Sequence, residues 1–333
     1  MSDQADTLRR LMQQKTNSPR SGRNDGKRGP RVMTIASGKG GVGKSCLVAN
    51  LGTMLARQGF KVLLVDCDFG LANLDILLNV QPAATLEQVL QNEATLQEAV
   101  VGVEPNLWLI PSVSGVVDGL LNSNNGFRGA DSTTRDRLAN LFSEFPWEMD
   151  FILLDVGAGI HQNVLSLHHP SFETTIVITP EPTSLTDAYG LIKVLKMQVG
   201  IRRAGVIVNQ VADGREGSRV FQKLNDVANR FMDVQLEYIG HWQKDEKVTQ
   251  SVLKRKILID LDEGALSVPS LQLLTKRIQS SSQSFDNSVD KQRLGPISTG
   301  SALRTGRFKD EPAQVAPGNT AGFWRTLLGE VKA

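Results

Sequence analysis

The chain has 333 residues, 40% of them hydrophobic and 22% charged, with a formal net charge of +2. That is the composition of a globular protein large enough for one sizeable core plus extensions, and its charge balance demands no polyanionic partner. No apolar run is long enough to cross a bilayer and the start lacks a charged-then-apolar leader, so a cytoplasmic protein with reduced thiols is expected; its two cysteines, Cys46 and Cys67, read as small buried side chains.

In chain order, "DQADTLRRLM" sets Leu8, Leu11 and Met12 at helical spacing. A stretch rich in Gly, Pro and Ser follows, carrying Lys15, Arg20, Arg23, Lys27, Arg28 and Arg31. Residues 1–30 therefore read as a short helix on a basic, flexible arm. From Arg31 apolar runs alternate with helical stretches: "RVMTIAS", a helix from Gly43 to about Gln58, "KVLLVD", "LWLIPS", "DFILLDV", "TTIVITP", "AGVIVN" and "LEYIG". Continuous apolar strands predict burial on both faces, hence an α/β fold of three layers, a mainly parallel sheet between helices, over residues 31–280. Residues 281–320 lack periodicity and read as a linker. Residues 321–333 regain it, with Phe323, Trp324, Leu327, Leu328 and Val331 on one side of a helix.

"ASGKGGVGKS" carries the chemistry. Gly38, Gly43, Lys44 and Ser45 fit G-x-x-x-x-G-K-[ST] between an apolar strand and a helix, the context of a phosphate loop in a P-loop NTPase. Gly38, Gly40, Gly41 and Gly43 let backbone N–H groups turn inward, so the loop from Gly38 through Lys39, Val42 and Ser45 to Cys46 is expected to wrap the phosphates of a nucleotide. Lys44 is the candidate for the β and γ phosphates and the Ser45 hydroxyl for Mg²⁺. Asp66 and Asp68, two apart at the end of a strand, project to one side, one to assist the metal and one to orient water. Asp155 ends another strand before small residues, as a metal-shell aspartate followed by a switch does, while Asp150 opens that strand as a boundary residue. His161, His168 and His169 have no acidic or cysteine companion at ligand spacing and read as solvated or capping.

"KGGVGKS", "DCDFGLANLDILL", "DVGAGI" and "TPEPTSLTDAYGLIK" together resemble the MinD/ParA group of deviant Walker A ATPases, and most of all its flagellar members, over roughly residues 31–280. The resemblance implies that ATP is sandwiched between two protomers and that Lys39 reaches across to the partner's phosphates. Charge there would stabilise the transition state and make ATP part of a homodimer interface. It also implies that Asp68 positions the attacking water, that Asp66 and Asp155 serve the metal shell or switch, and that Asn209 contacts adenine; an Asn at a strand end can equally cap a turn. The chain departs from the family where an Ile-Pro-Tyr-Asp-like run is usual and "IGHWQKDEKV" stands instead, leaving Trp242 either beside the adenine or in the core.

The N-terminal element resembles the family's activator of an FlhF-type GTPase, which implies that Gln4 lies in the element that helps arrange the partner's catalytic site; the alternative is a frayed tail. The last helix, by the same resemblance, lies on the inner membrane surface through Phe323, Trp324, Leu327 and Leu328, the alternative being to dock on the core. The function so implied is an ATP-gated dimer, hydrolysing slowly and peripheral on the inner face of the cytoplasmic membrane, that regulates flagellar number and placement. Flagellar switch-complex proteins and a flagellar transcription activator are further implied partners, and DNA is an unlikely one. The alternatives are a MinD-like division-site or ParA-like partition ATPase, or a regulator acting mainly by binding a transcription activator.

Overall fold

A computed structural model describes residues 30–69, 71–113, 148–161, 164–165, 167–168 and 172–285. The expectations for residues 1–29, Gln4 included, for His169 and for the C-terminal segment with Phe323, Trp324, Leu327 and Leu328 lie outside the described residues. Eight strands form one sheet: β1 (Arg31–Ser37), β2 (Val62–Cys67), β3 (Val101–Glu104), β4 (Leu107–Ile110), β5 (Phe151–Ala158), β6 (Glu173–Ile178), β7 (Arg203–Val211) and β8 (Gln235–Gln243). Their order is β3-β4-β2-β5-β1-β6-β7-β8. Among the described residues every ladder is parallel except β3 with β4. That hairpin turns at Asn106, whose φ is 68°. β3 has no counterpart among the expected strands, because "VGVE" is four residues long and interrupted by Gly102.

The helices are α1 (Lys44–Arg57), α2 (Leu74–Leu77), α3 (Leu86–Leu90), α4 (Leu96–Ala99), α5 (Pro182–Val194), α6 (Gly214–Phe231), α7 (Glu246–Leu253), α8 (Leu258–Leu261) and α9 (Val268–Phe285). α9 runs past the expected boundary at 280. Alternation along each strand feeds two cores. In β2, Leu63, Val65 and Cys67 pack with α3, α5 and α6, while Val62 and Leu64 pack with α1, α8 and α9. A strand buried on both sides has no polar face, which is why these runs read as continuous apolar stretches.

Trp242 is 1% exposed and belongs to the second core, which settles its place: it packs in the interior among residues of α9 and α1. Arg31 likewise leaves the basic arm. It opens β1, its Nη2 donates to Glu173 Oε2 at 2.6 Å, and another guanidinium nitrogen donates to the Ile278 carbonyl. Asp150 is the boundary residue expected, its carboxylate accepting from Lys61 N at 2.8 Å.

Candidate functional site

The carboxyl ends of β1, β2, β5 and β7 meet at one edge of the sheet, so residues far apart in sequence converge there. β1 ends at Ser37 and α1 starts at Lys44; the intervening glycine-rich loop is the phosphate-loop candidate. Gly43 has φ +82°, and a Cβ on it would lie 2.6 Å from the Asn209 amide nitrogen, so both backbone conformation and space require glycine there. The first turn of α1 carries Lys44, Ser45 and Cys46. Their helix N-terminus supplies the positive dipole end an anion needs.

Lys44 is 6% exposed and its Nζ donates to Asp155 Oδ1, an aspartate 1% exposed. In this pair each charge offsets the other's desolvation. Asp66 lies beside Asp155 in the β2–β5 register and is also 1% exposed. Expected in the metal shell, Asp66 has a different first duty: Oδ1 accepts from the Asp68 N–H and Oδ2 from the Asn73 and Leu74 N–H groups, each at 3.0 Å. It thereby fixes the chain that leaves β2. Burial, with the negative Asp155 beside it, pushes its carboxyl well above the usual range, and the three N–H bonds oppose that rise. Asp68 sits one residue past β2 and is only partly buried. Its Oδ1 lies 2.8 Å from where a Cβ on Gly157 would stand, so the glycine after "DV" gives this carboxylate room beside β5. Burial raises its pKa, Lys44 lowers it and Asp155 adds to the rise.

Asn209 closes the opposite side of the loop. Its Nδ2 donates to the Val42 carbonyl at 2.7 Å and its Oδ1 accepts from Gln210 N at 2.8 Å. An amide carries two N–H donors, and the Val42 carbonyl takes one of them. Gln210, not among the expected site residues, has φ 59° and reaches Gly41 O from Nε2 at 3.5 Å, a strained residue placed over the loop.

Lys39 stands apart from the other site residues. Its Nζ donates to Glu181 Oε2 at 2.6 Å and to Thr183 Oγ1 at 3.0 Å, both on the amino end of α5. Glu181 and Thr183 stand in the stretch "TPEPTSLTDAYGLIK" that carries part of the resemblance, but that β6 is β1's neighbour is a matter of strand order, which residue spacing does not show.

Cys46 is half-buried and Cys67 buried, and neither is in a disulfide. Burial pushes the Cys46 thiol up to about 12, which makes it a poor nucleophile. His168 is a correction: it is fully buried rather than solvated, with Nδ1 3.2 Å from Thr174 Oγ1.

The donors present suit a divalent metal and a nucleotide. Ser45 and Asp155 offer hard oxygen donors, which suit Mg²⁺ rather than a soft metal. The loop has a left-handed Gly43, a helix N-terminus and a lysine, the set that suits a nucleotide's phosphates.

Residues 33–276 match the CobQ/CobB/MinD/ParA nucleotide binding domain. The antiactivator FleN of Pseudomonas aeruginosa is 35% identical over 230 residues, 69% of this chain and 79% of that protein. The flagellum site-determining protein YlxH of Helicobacter pylori is 34% identical over 295 residues, 88% of this chain and 96% of that protein. Among solved structures, the septum site-determining protein MinD of Pyrococcus horikoshii, complexed with Mg-ADP, superposes with a TM-score of 0.61 at 26% identity, covering 76% of this chain and 97% of that one. With its eight-stranded sheet, its phosphate loop and this match across the core, the chain belongs to the CobQ/CobB/MinD/ParA family of P-loop nucleotide-binding proteins.

Proposed function

We propose that the protein is an ATP-dependent dimerising switch that regulates bacterial flagellar number and placement, with slow ATP hydrolysis resetting it. One observation carries the switch: the two lysines of a single loop serve different sides of it. Lys44 is buried on Asp155, whereas Lys39 is half-exposed, which supports the reading that Lys39 meets a second copy of the chain. The FleN and YlxH relatives support the flagellar setting.

In this reading Gly38 to Cys46 wrap the phosphates, Lys44 holds the β and γ positions, and Asn209 offers its spare N–H to adenine. Ser45 and Asp155 hold Mg²⁺, partly through water, with Asp66 supporting that shell from behind; the ion supplies charge neutralisation at the phosphates. Asp68 orients the attacking water. Lys39 enters the partner protomer's site and stabilises charge that develops in hydrolysis. Residues 1–30, with Gln4, engage an FlhF-type GTPase, and 281–320 tether a membrane helix at 321–333. Two weak anchors per dimer make membrane binding follow the nucleotide. Flagellar switch-complex proteins are further partners.

The test is oligomeric state and hydrolysis with ATP and Mg²⁺ in the wild type and in Lys39→Ala. Dimerisation and turnover fall in the variant if the reading holds, and equal behaviour overturns it. A second reading is favoured by the antiactivator relative: the chain acts mainly by holding a transcription activator, hydrolysis being incidental. An Asp68→Ala variant that loses hydrolysis yet keeps regulation supports that reading.

A further inference from the structure

The outer rim of the phosphate loop is seated on α5. β1 and β6 are neighbours, with Ala36 opposite Ile176, so the loop after β1 abuts the start of α5 after β6. The approach is close: a Cβ on Gly38 would stand 2.3 Å from the Asp187 carbonyl carbon. Ser37 Oγ donates to the Lys39 carbonyl at 2.9 Å and fixes the backbone from which the lysine extends. The Lys39 ammonium then spends two of its three N–H groups on Glu181 and Thr183.

This resting place is held by Glu181 and not by its surroundings. Glu181 is the N-cap position of α5, and Thr183 lies in the first turn. The amino end of a helix carries partial positive charge, which repels an ammonium and favours a carboxylate. Without Glu181 the lysine would sit against that field with only a neutral hydroxyl as partner. The two side chains are 38% and 60% exposed, so water competes for both and the pair opens readily. Such strength suits a latch that a binding event can release.

We infer that Glu181, with Thr183, latches Lys39 to its own protomer and so competes with the reach of Lys39 into a second copy of the chain. The inference rests on the reading of Lys39 given under Proposed function. A dimer releases two latches, so the effect of one pair enters the dimer constant twice.

The experiment measures the dimer dissociation constant by sedimentation with Mg²⁺ and a non-hydrolysable ATP analogue, for the full chain, Glu181→Gln, Lys39→Ala and the double variant. Monomer nucleotide affinity is followed as a control and stays unchanged in Glu181→Gln. That variant is expected to dimerise roughly two- to thirty-fold more tightly than wild type at low salt, with the gap closing as salt rises. The double variant is expected to match Lys39→Ala. If Lys39→Ala dimerises more weakly but Glu181→Gln equals wild type or is weaker, the latch is wrong and the role of Lys39 stands. If the Glu181 substitution tightens the dimer equally with and without Lys39, Glu181 does not act through the lysine and the latch is again overturned. If Lys39→Ala dimerises as wild type does, the reading of Lys39 falls and the latch falls with it.

Discussion

The phosphate loop has an inner and an outer side, and the same residue type behaves differently on each. On the inner side Lys44 and Asp155 are 6% and 1% exposed; on the outer side Lys39 and Glu181 are 38% and 60% exposed. A buried pair is strained by desolvation and fails badly when one partner is removed, while an exposed pair exchanges freely with water. The inner pair is thus held in a fixed arrangement, while the outer pair opens readily to water.

The largest effect expected from this contrast is at Lys44. Lys44→Ala leaves Asp155 buried without its cation, so unfolding free energy should fall by about 3–5 kcal/mol in chemical denaturation, together with loss of nucleotide binding. A variant that is equally stable would show that Asp155 is protonated or rehydrated and that the inner pair holds nothing. Next comes Asp68, which lies at the margin between the two sides. Asp68→Ala is expected to lower ATP turnover by about 10²–10⁴-fold while nucleotide affinity holds, read by phosphate release against equilibrium binding. A parallel loss of affinity would move Asp68 from water positioning to ground-state binding.

His168 extends the rule for buried groups away from the loop. It is fully buried, and burial depresses its pKa to about 3 from the ordinary 6.5. A group depressed on folding contributes stability that is complete above its unfolded pKa and is lost as pH falls toward its folded one. The window here runs from pH 6.5 down to 3. Between pH 6.5 and 5 the cost is about 2 kcal/mol, and His168→Gln should flatten that part of the stability profile. An unchanged slope would mean that His168 titrates near its ordinary value in the folded chain.

The sheet was legible in the residues because a strand buried on both faces writes an uninterrupted apolar run, as in "VLLVD" and "FILLDV". β3 was not, being short and held to the edge by the Asn106 turn. The phosphate loop was legible because its chemistry is local: glycines, lysine and serine follow one another. What joins distant segments was not. That Lys39 meets Glu181, that Asn209 bonds Val42, and that Asp66 spends its oxygens on the chain after β2 all depend on strand order and on where a carboxylate turns. Side-chain spacing predicts which residues share a strand face, but Asp66 and Asp68 show its limit: Asp66 ends up as a backbone anchor and Asp68 lies beyond the strand.

An effect of similar size to that at His168 separates two uses of one amide. Asn209 joins β7 to the phosphate loop through Val42 O at 2.7 Å, a bond buried within the protein. Asn209→Ala leaves that carbonyl without its donor, at a cost of about 1–3 kcal/mol in unfolding free energy. If loop bracing is its whole role, affinity for ATP and for GTP should fall by the same factor, because a looser loop weakens any triphosphate. If the spare N–H meets adenine, Asn209→Ala should lose preference among bases as well as affinity. Asn209→Asp sharpens the distinction, since it keeps the acceptor that takes the Gln210 N–H but sets a carboxylate against the Val42 carbonyl. Equal stability for Asp and Asn at this position would show that the loop does not depend on this buried donor, and would weaken the contrast between its buried and its exposed contacts.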